Sequence, residues 1–260
     1  MKITLIKSAI VLFLSFLIIS CGESTPSGGG QPGSLASMVV AKDQLHILNN
    51  DKIVSFDLSG EMLLQGKVSS ELDLWQASTL HVHNERYLMV GTDTGVGIYQ
   101  VSGLEEDTQS LEFVSRFDHV TAEDPVIANG DTGYFTLRDG NQNMASDRDS
   151  VGVIDLADIE QPTLITENNA LKEPFGLAFY QGQLFVCDKA SGLSIFQVIS
   201  DDNEKVIGLD YLASYANYEC NDIIIKNGLL ILTDGNGITQ LRINGDQLDF
   251  VSQLPIFSNY

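Results

Sequence analysis

Short apolar runs separated by polar turns make up most of the chain. The runs are five to seven residues long, rich in Val, Ile, Phe and Tyr, and bounded by Gly, Asp and Asn. Such runs are typical of β-strands, because β-branched and aromatic side chains fit a pleated, partly buried surface. After residue 20, no window has an apolar stripe at the 3.6-residue spacing of a helix over three turns. The pattern therefore predicts an all-β protein.

A two-strand unit repeats along the chain. Residues 182–198 (GQLFVCDKASGLSIFQV) align without a gap on residues 85–101 (ERYLMVGTDTGVGIYQV), and with a shorter turn on residues 228–243. Each copy of the unit has one further apolar run before it and another after it, such as MLLQGKV (62–68) after the first copy. This makes four strands per unit and five units after Ser34, with a period of about 45 residues.

Four antiparallel strands repeated every 40–50 residues or so are typical of a β-propeller. The sequence therefore predicts a single propeller domain of five four-stranded blades over residues 35–260. A sixth, degenerate blade and a right-handed β-helix are the alternatives. No extra strand is predicted at either end of the chain, so we expect the ring to close by packing of the first blade on the last.

The repeats also resemble those of the LVIVD-repeat lipoproteins of bacterial envelopes. The resemblance rests on GYFTLRDG (133–140), SVGVIDLADIEQPTLI (150–165) and NDIIIKNGLLILTDGNGITQLRI (221–243). It extends over nearly all of residues 35–255 and implies a β-propeller of the cell envelope, with no catalytic residue to carry over. This chain departs from similar members in residues 139–150, which lack the cysteine often found there.

The first twenty residues have the pattern of a leader peptide. Lys2 and Lys7 precede an apolar run from Ala9 to Ile19, which is too short to span a bilayer as a stable helix. The run ends in LIISC, which resembles the lipobox of bacterial lipoproteins. This resemblance implies that residues 1–20 are removed, that Cys21 is acylated and that the protein is held to a membrane by its lipid. An ordinary secretory leader followed by a chance cysteine is the alternative.

Residues 21–34 predict a flexible tether between the lipid and the folded body. They contain no large apolar residue and are rich in Gly, Ser and Pro. Position 22 is a glycine, whereas an aspartate at this position often retains lipoproteins of Gram-negative bacteria in the inner membrane. The sequence thus favours the outer membrane, if the host has one.

The chain is strongly acidic. It carries 35 acidic and 14 basic residues for a net charge of −21, and removal of the leader takes away two lysines and no acid, which leaves −23. Such a surface repels nucleic acid phosphates and anionic lipid head groups. The composition therefore argues against a nucleic acid partner.

Two cysteines remain besides Cys21. Cys187 ends the second strand of the fourth unit, and Cys220 precedes the first strand of the fifth. In an up-and-down blade these two positions lie on the same face of the propeller, so the two thiols are expected near each other. Disulfides are permitted in an envelope compartment. A disulfide is one expectation, and two independent buried thiols are the other.

Acidic residues recur at equivalent positions of the units. Asp124, Glu173 and Glu219 precede the first strand of three consecutive units, which predicts a ring near the mouth of the central channel. Oxygen ligands of this kind suit Ca²⁺. The turns after the second strands add four more acids on the same face, Asp93, Asp139, Asp188 and Asp234. Because chance explains such a column in a chain this acidic, we predict no cofactor and keep calcium as the alternative.

Other polar features have two interpretations each. His81 and His83 alternate along one strand, as in half of a zinc site or as in a blade interface, and His46 and His119 come from other units. Residues 139–150 form either a recognition loop or a solvated bulge. We expect Trp75 to take part in packing, and stacking on a ligand is the alternative.

No sequence motif indicates catalysis. The chain has no Gly-x-Ser-x-Gly elbow, phosphate-binding loop or dinucleotide fingerprint. We therefore expect a lipid-anchored envelope propeller with a non-catalytic binding or scaffolding role toward a protein or glycan partner. The alternative is a metal-dependent, lactonase-like hydrolase that uses the acidic mouth of the channel. The oligomeric state is left open.

Overall fold

The computed structural model describes residues 33–59, 68–102, 110–119, 125–138, 149–245 and 247–256. Within these ranges, twenty strands form five four-stranded antiparallel sheets. Inside each sheet, every strand pairs with the strand that follows it in sequence. The predicted five-bladed β-propeller is thereby confirmed. The leader, Cys21 and most of the tether lie outside the described residues.

The four strands of each blade run in order from the central channel outward. Blade 1 consists of β1 (Met38–Ala41), β2 (Gln44–Asn49), β3 (Lys52–Asp57) and β4 (Val68–Asp73). Blade 2 consists of β5 (Ala77–His83), β6 (Tyr87–Thr92), β7 (Gly95–Val101) and β8 (Leu111–Asp118). Blade 3 consists of β9 (Val126–Asn129), β10 (Thr132–Leu137), β11 (Ser150–Asp155) and β12 (Thr163–Asn168). Blade 4 consists of β13 (Pro174–Tyr180), β14 (Gln183–Asp188), β15 (Gly192–Ser200) and β16 (Val206–Tyr215). Blade 5 consists of β17 (Asp222–Lys226), β18 (Leu229–Thr233), β19 (Gly237–Asn244) and β20 (Gln247–Pro255).

This course of the chain defines two faces. The connections between blades and the turns between second and third strands lie on one face, which we call the upper face. The turns between first and second strands, and between third and fourth strands, lie on the lower face. Both cysteines belong to the upper face, and so do the described acidic positions, which are Asp93, Glu173, Asp188, Glu219 and Asp234.

The core lies between the blades. Four clusters of buried apolar side chains fill the junctions of blades 1 and 2, 2 and 3, 3 and 4, and 4 and 5. The middle strands β6, β10 and β14 are buried on both faces along almost their whole length. This burial explains why these segments are continuous apolar runs rather than alternating ones.

The junction of blades 5 and 1 is different. No buried apolar cluster is shared by these two blades within the described residues, and Met38 and Val40 on β1 are 55% and 49% exposed. In β17 and β18, fully buried residues alternate with half-buried ones. The expected closure by packing of the first blade on the last is therefore not seen in this part of the chain.

The segment before β1 instead ties several blades together at the centre. The Ser34 hydroxyl donates to Oδ1 of Asp222 at 3.1 Å and accepts a hydrogen bond from the Leu177 amide at 2.7 Å. Two residues later, the Ala36 carbonyl accepts from the Leu80 amide at 2.7 Å. These contacts join the inner strands of blades 2, 4 and 5. Ser34 is only 1% exposed, so the folded body includes this last residue of the expected tether.

One glycine permits the close approach of blades 4 and 5. The Gly176 amide donates to the Asn221 carbonyl at 2.9 Å. A Cβ atom at residue 176 would lie 2.7 Å from Cα of Asp222 and 2.9 Å from the carbonyl oxygen of Asn221. A glycine is therefore required where these inner strands meet.

The outer strand of blade 1 differs from its predicted position. The apolar run at residues 62–68 predicts this strand, whereas β4 spans Val68–Asp73 and residues 60–67 lie outside the described residues. An outer strand buries little side-chain area, so polar residues are tolerated in it and an apolar run is a poor guide to its position. Within the described ranges, no helix is long and apolar enough to cross a bilayer.

Candidate functional site

A cavity of about 380 Å³ opens on the upper face between blades 4 and 5. Its walls come from the segment after β16, the turn between β18 and β19, and the outer strand β20. The lining contains two acids, three amides and two aromatic residues, namely Glu219, Asp234, Asn217, Asn236, Gln253, Tyr218 and Phe250. We call this cavity the upper pocket. Its volume falls in the range of small-molecule and side-chain binding sites, about 300–1,000 Å³.

A disulfide fixes one wall of the upper pocket. Cys187 and Cys220 are joined with their Cα atoms 5.3 Å apart, and both side chains are buried in the junction of blades 4 and 5. The Asn221 amide also donates to the Thr233 carbonyl at 2.6 Å. The backbone that carries Glu219 is therefore held by a covalent bond and a hydrogen bond directly after it.

The second acid of the upper pocket is held by its own turn. Oδ1 of Asp234 accepts hydrogen bonds from the amides of Asn236 at 2.6 Å and Gly237 at 2.7 Å. This is an Asx-type turn, in which a short carboxylate side chain satisfies backbone donors two and three residues ahead. The turn fixes the position of Asp234, while Glu219 remains solvent-exposed.

An exposed aromatic ring stands at the edge of the upper pocket. Phe250 is 61% exposed, although it pairs across the sheet with the fully buried Leu241 and thus lies on the face of blade 5 that points toward blade 4. On the opposite wall, Tyr218 packs against Tyr215 with ring centroids 6.3 Å apart. Aromatic residues are enriched in binding surfaces relative to the rest of a protein surface.

The structure brings some of the predicted acids together and separates others. Glu219 and Asp234 line the upper pocket, whereas Glu173 is not among its lining residues. Asp124 and Asp139 lie outside the described residues, so the predicted ring of three is not described as a set. In the described part of the chain, no three His, Cys, Asp or Glu side chains are grouped as a metal site requires.

Asp188 has a structural role at the top of blade 4. It is completely buried, and its carboxylate accepts hydrogen bonds from the amides of Lys172, Glu173 and Ala190 at 2.9–3.2 Å. The Ser191 hydroxyl donates to the same carboxylate. The aspartate thereby joins the entry of blade 4 to its second turn. Its recurrence in the units reflects turn chemistry, which is a different signal from ligand binding.

The histidines of blade 2 are part of the blade packing. His81 and His83 lie on one face of β5, and Nε2 of His81 accepts the Ala128 amide of blade 3 at 3.0 Å. Burial lowers the pKa of His81 to about 4, with a smaller contribution from neighbouring His83. His83 pairs with the side chain of Asn84 at 3.0 Å. This geometry matches the blade-interface alternative.

The other two histidines also lie within blade junctions. Nδ1 of His46 lies 2.8 Å from the Ser55 hydroxyl, and burial lowers the pKa of His46 to about 4. The ring of His119 stacks on Phe135 with centroids 5.7 Å apart. A neutral imidazole at His46 avoids the cost of burying a charge.

The expectation that Trp75 takes part in packing is wrong. Its side chain is 79% exposed on the upper face, in the connection between β4 and β5, and its ring nitrogen donates to Gln76 at 2.6 Å. A connection between blades has no periodic pattern that would reveal the direction of a side chain. Residues 139–148 of the predicted recognition loop lie outside the described residues.

Comparisons with known proteins show the fold and no more. No known family profile matches the chain, and no curated protein is significantly similar to it in sequence. Among solved structures, it is similar to a candidate 6-phosphogluconolactonase of Bacteroides fragilis, with 14% identity over 84% of this chain and 69% of the other, at a TM-score of 0.62. A candidate 6-phosphogluconolactonase of Bacteroides uniformis matches with 13% identity, coverages of 84% and 70%, and a TM-score of 0.60. The β-propeller domain of Cps50 (Swd1) from Myceliophteria thermophila matches with 12% identity, coverages of 88% and 75%, and a TM-score of 0.56. Identities this low leave function to be argued from the site.

Proposed function

We propose that this protein is a lipid-anchored propeller of the bacterial envelope with a non-catalytic binding role, and that its upper pocket holds part of a partner protein. The observation that carries the proposal is the pocket between blades 4 and 5, where carboxylates, amides and an exposed phenylalanine line a cavity whose wall a disulfide fixes. A rigid scaffold with polar groups at its mouth loses little conformational freedom on binding.

The charge of the protein indicates the chemistry of the partner. Glu219 and Asp234 place carboxylates in the pocket, and the described lining residues include no lysine or arginine. The whole chain is also acidic, at −21 before removal of the leader. Such a field attracts basic surfaces and accelerates their association. We therefore infer a partner with a basic contact surface.

The same charges count against the lactonase-like alternative. A phosphorylated sugar lactone would bring negative charge next to Glu219 and Asp234, with no described basic side chain in the pocket to offset it. Likeness to two candidate 6-phosphogluconolactonases at 13–14% identity supports a shared fold only. Calcium remains the specific test of the metal-dependent alternative. If millimolar Ca²⁺ raises the melting temperature and Glu219→Gln abolishes the rise, a metal site is favoured over the binding role.

The envelope address rests on the sequence of the leader. The lipobox-like segment ending at Cys21 supports acylation, and several acyl chains anchor a protein stably since each buried methylene contributes about 0.8 kcal/mol. We expect the wild-type protein in the membrane fraction and labelled by a fatty acid analogue. Cys21→Ser should lose the label. Unchanged labelling of this variant would contradict the anchor without affecting the pocket.

Site-specific photo-crosslinking in intact cells tests the binding role. A photoreactive amino acid at Asn236 places the probe in the upper pocket, and the same probe at Arg86 on the lower face is the matched control. We expect one protein to crosslink from residue 236 and not from residue 86. Equal crosslinking from both positions, or none from residue 236, would overturn the proposal.

A further inference from the structure

A second cavity, of about 340 Å³, adjoins the upper pocket along the same two outer strands. We call it the lower pocket. Its lining is mainly apolar and includes Phe185, Ile195, Leu212, Ala213, Tyr215 and Leu248. Leu212 is 50% exposed at its mouth, while Phe185 and Ile195 form a buried floor. An open cavity of this kind accepts a large apolar side chain.

The two pockets follow one another between β16 and β20. Tyr215 lines the lower pocket, and the next residue, Ala216, lines the upper pocket. On β20, Leu248 lines the lower pocket and Phe250 the upper one. Both strands run from the lower to the upper face. The centres of the pockets therefore lie about four residues apart, or about 13 Å at roughly 3.3 Å per residue.

The strands that border this cleft favour an extended ligand. In the described part of the chain, β16 and β20 are the last strands of their sheets, so each has an edge to which no further strand is paired. An extended peptide beside such an edge can use these backbone groups while alternate side chains enter pockets. Side chains on one face of an extended peptide recur every two residues, so the pocket spacing corresponds to positions i and i+4.

The chemistry of the two pockets differs in a way that defines the ligand. The lower pocket is apolar, whereas the upper pocket has Glu219 and Asp234 and no described basic residue. Resting on the proposed binding role, we propose that the cleft between blades 4 and 5 binds an extended segment of the partner protein. This segment carries a large apolar side chain and, four residues away, a lysine or arginine. Charge complementarity favours a peptide of this kind over a neutral glycan.

Selection from a peptide library tests the proposal whatever the identity of the partner. The probe is a library of random nonapeptides applied to the purified full chain. The readout is which pairs of residue types are enriched among the bound peptides, and how many positions separate the two residues of each pair. We expect Lys or Arg to be enriched four positions from Leu, Ile, Met or Phe. Binding of the selected peptide should weaken as NaCl is raised from 50 to 500 mM, because exposed charge pairs are screened.

Three variants assign the two preferences to the two pockets. Glu219→Gln should weaken binding of the selected peptide about three- to fivefold and should relax only the preference for a basic residue. Leu212→Gln should weaken binding of the same peptide about tenfold and should relax only the preference for an apolar residue. Ile207→Gln is the matched control, since Ile207 lies on the same strand, is 54% exposed and lines neither pocket. Melting curves show that each variant folds.

The outcomes separate this inference from the proposed function. Absence of the paired enrichment, or equal losses in Leu212→Gln and Ile207→Gln, overturns the inference. If crosslinking from Asn236 still captures a protein in that case, the binding role stands with a different mode of recognition. If a neutral glycan binds independently of salt and Phe250→Ala weakens its binding, the inferred peptide ligand is overturned and a glycan ligand takes its place.

Discussion

Loss of the Cys187–Cys220 disulfide should destabilise the propeller and weaken its upper pocket together. The bond connects the second strand of blade 4 to the entry of blade 5, and Glu219 is the residue before Cys220. The appropriate protein is the chain from residue 22 onward, which contains only these two cysteines. The variant Cys187→Ala/Cys220→Ala removes both thiols without adding a polar group to the buried junction.

The expected loss follows from the length of chain that the bond closes. The two cysteines are 33 residues apart in sequence. In the chain-entropy description, a loop of this length reduces the entropy of the unfolded chain by about 12 cal/mol/K, which corresponds to about 4 kcal/mol at 25 °C. For a domain of about 150–250 residues, 1 kcal/mol shifts the melting temperature by about 2–4 °C. We therefore expect a decrease of about 8–15 °C.

Urea unfolding of four samples measures this effect. They are the oxidised wild type, the wild type with a phosphine reductant, the double alanine variant and the single variant Cys187→Ala. The last three should unfold at similar urea concentrations, well below the oxidised wild type, and the reductant should leave both variants unchanged. If the reductant has no effect on the wild type, or if the double variant is as stable as the oxidised protein, the reasoning fails. Binding of the selected peptide should fall in the same samples.

Three further predictions concern groups that are buried between the blades. His46 and His81 have pKa values lowered to about 4 by burial, so the stability due to their neutral forms is full above the unfolded value of about 6.5 and is lost as the pH falls toward 4. The loss should be about 3 kcal/mol per histidine. The double variant His46→Gln/His81→Gln should therefore lose less unfolding free energy than the wild type between pH 7 and pH 4. An equal loss in the variant and the wild type would contradict the assignment. Ser34→Ala leaves the Leu177 amide without its acceptor and should lower the free energy of unfolding by about 2 kcal/mol. The control Ser37→Ala, at an exposed position three residues later, should change the free energy of unfolding little. Equal losses in the two variants would count against a role for the segment before β1. Gly176→Ala forces the inner strands of blades 4 and 5 apart, so its melting temperature should fall more than that of Gly235→Ala. A Cβ at residue 235 has open space, and the backbone there is not in the left-handed region. The opposite order would refute the close approach.

Much of the fold was predictable because blades repeat and bury their middle strands. All of β14 except Gln183 is buried, and so are the first five residues of β15, so the apolar pattern identifies both strands. In β4 only two of the six residues, Ser70 and Leu72, are even half-buried, and the pattern placed this strand too early. The prediction for the exposed Trp75 failed for a related reason, since a connection between blades has no periodic pattern from which the direction of a side chain could be predicted. Prediction thus succeeded where burial constrains both faces of a strand.

The candidate site was predictable only in part. Alignment of the units indicated Glu219 and Asp234, and the structure places both in the upper pocket. The same alignment indicated Asp188, whose carboxylate is buried among backbone amides. A recurring acid marks a turn that needs a side-chain acceptor, and the sequence does not distinguish this need from ligand binding. Phe250 and Leu212 gave no signal, because the sequence does not show which apolar residues of an outer strand are exposed.

The junction of blades 4 and 5 is crosslinked by a disulfide and is also the location of both pockets. A disulfide, the contact of Gly176 with Asn221, and the hydrogen bonds of Ser34 to both inner strands hold its inner side. Its outer side, between β16 and β20, remains open. Fixed inner strands limit how far the walls of the cleft can move, so a ligand pays little for ordering them. The junction of blades 5 and 1 has no buried apolar cluster in the described residues, so we expect a deformation of the ring to occur there first. Deformation of the ring should therefore affect peptide binding less than reduction of the disulfide does.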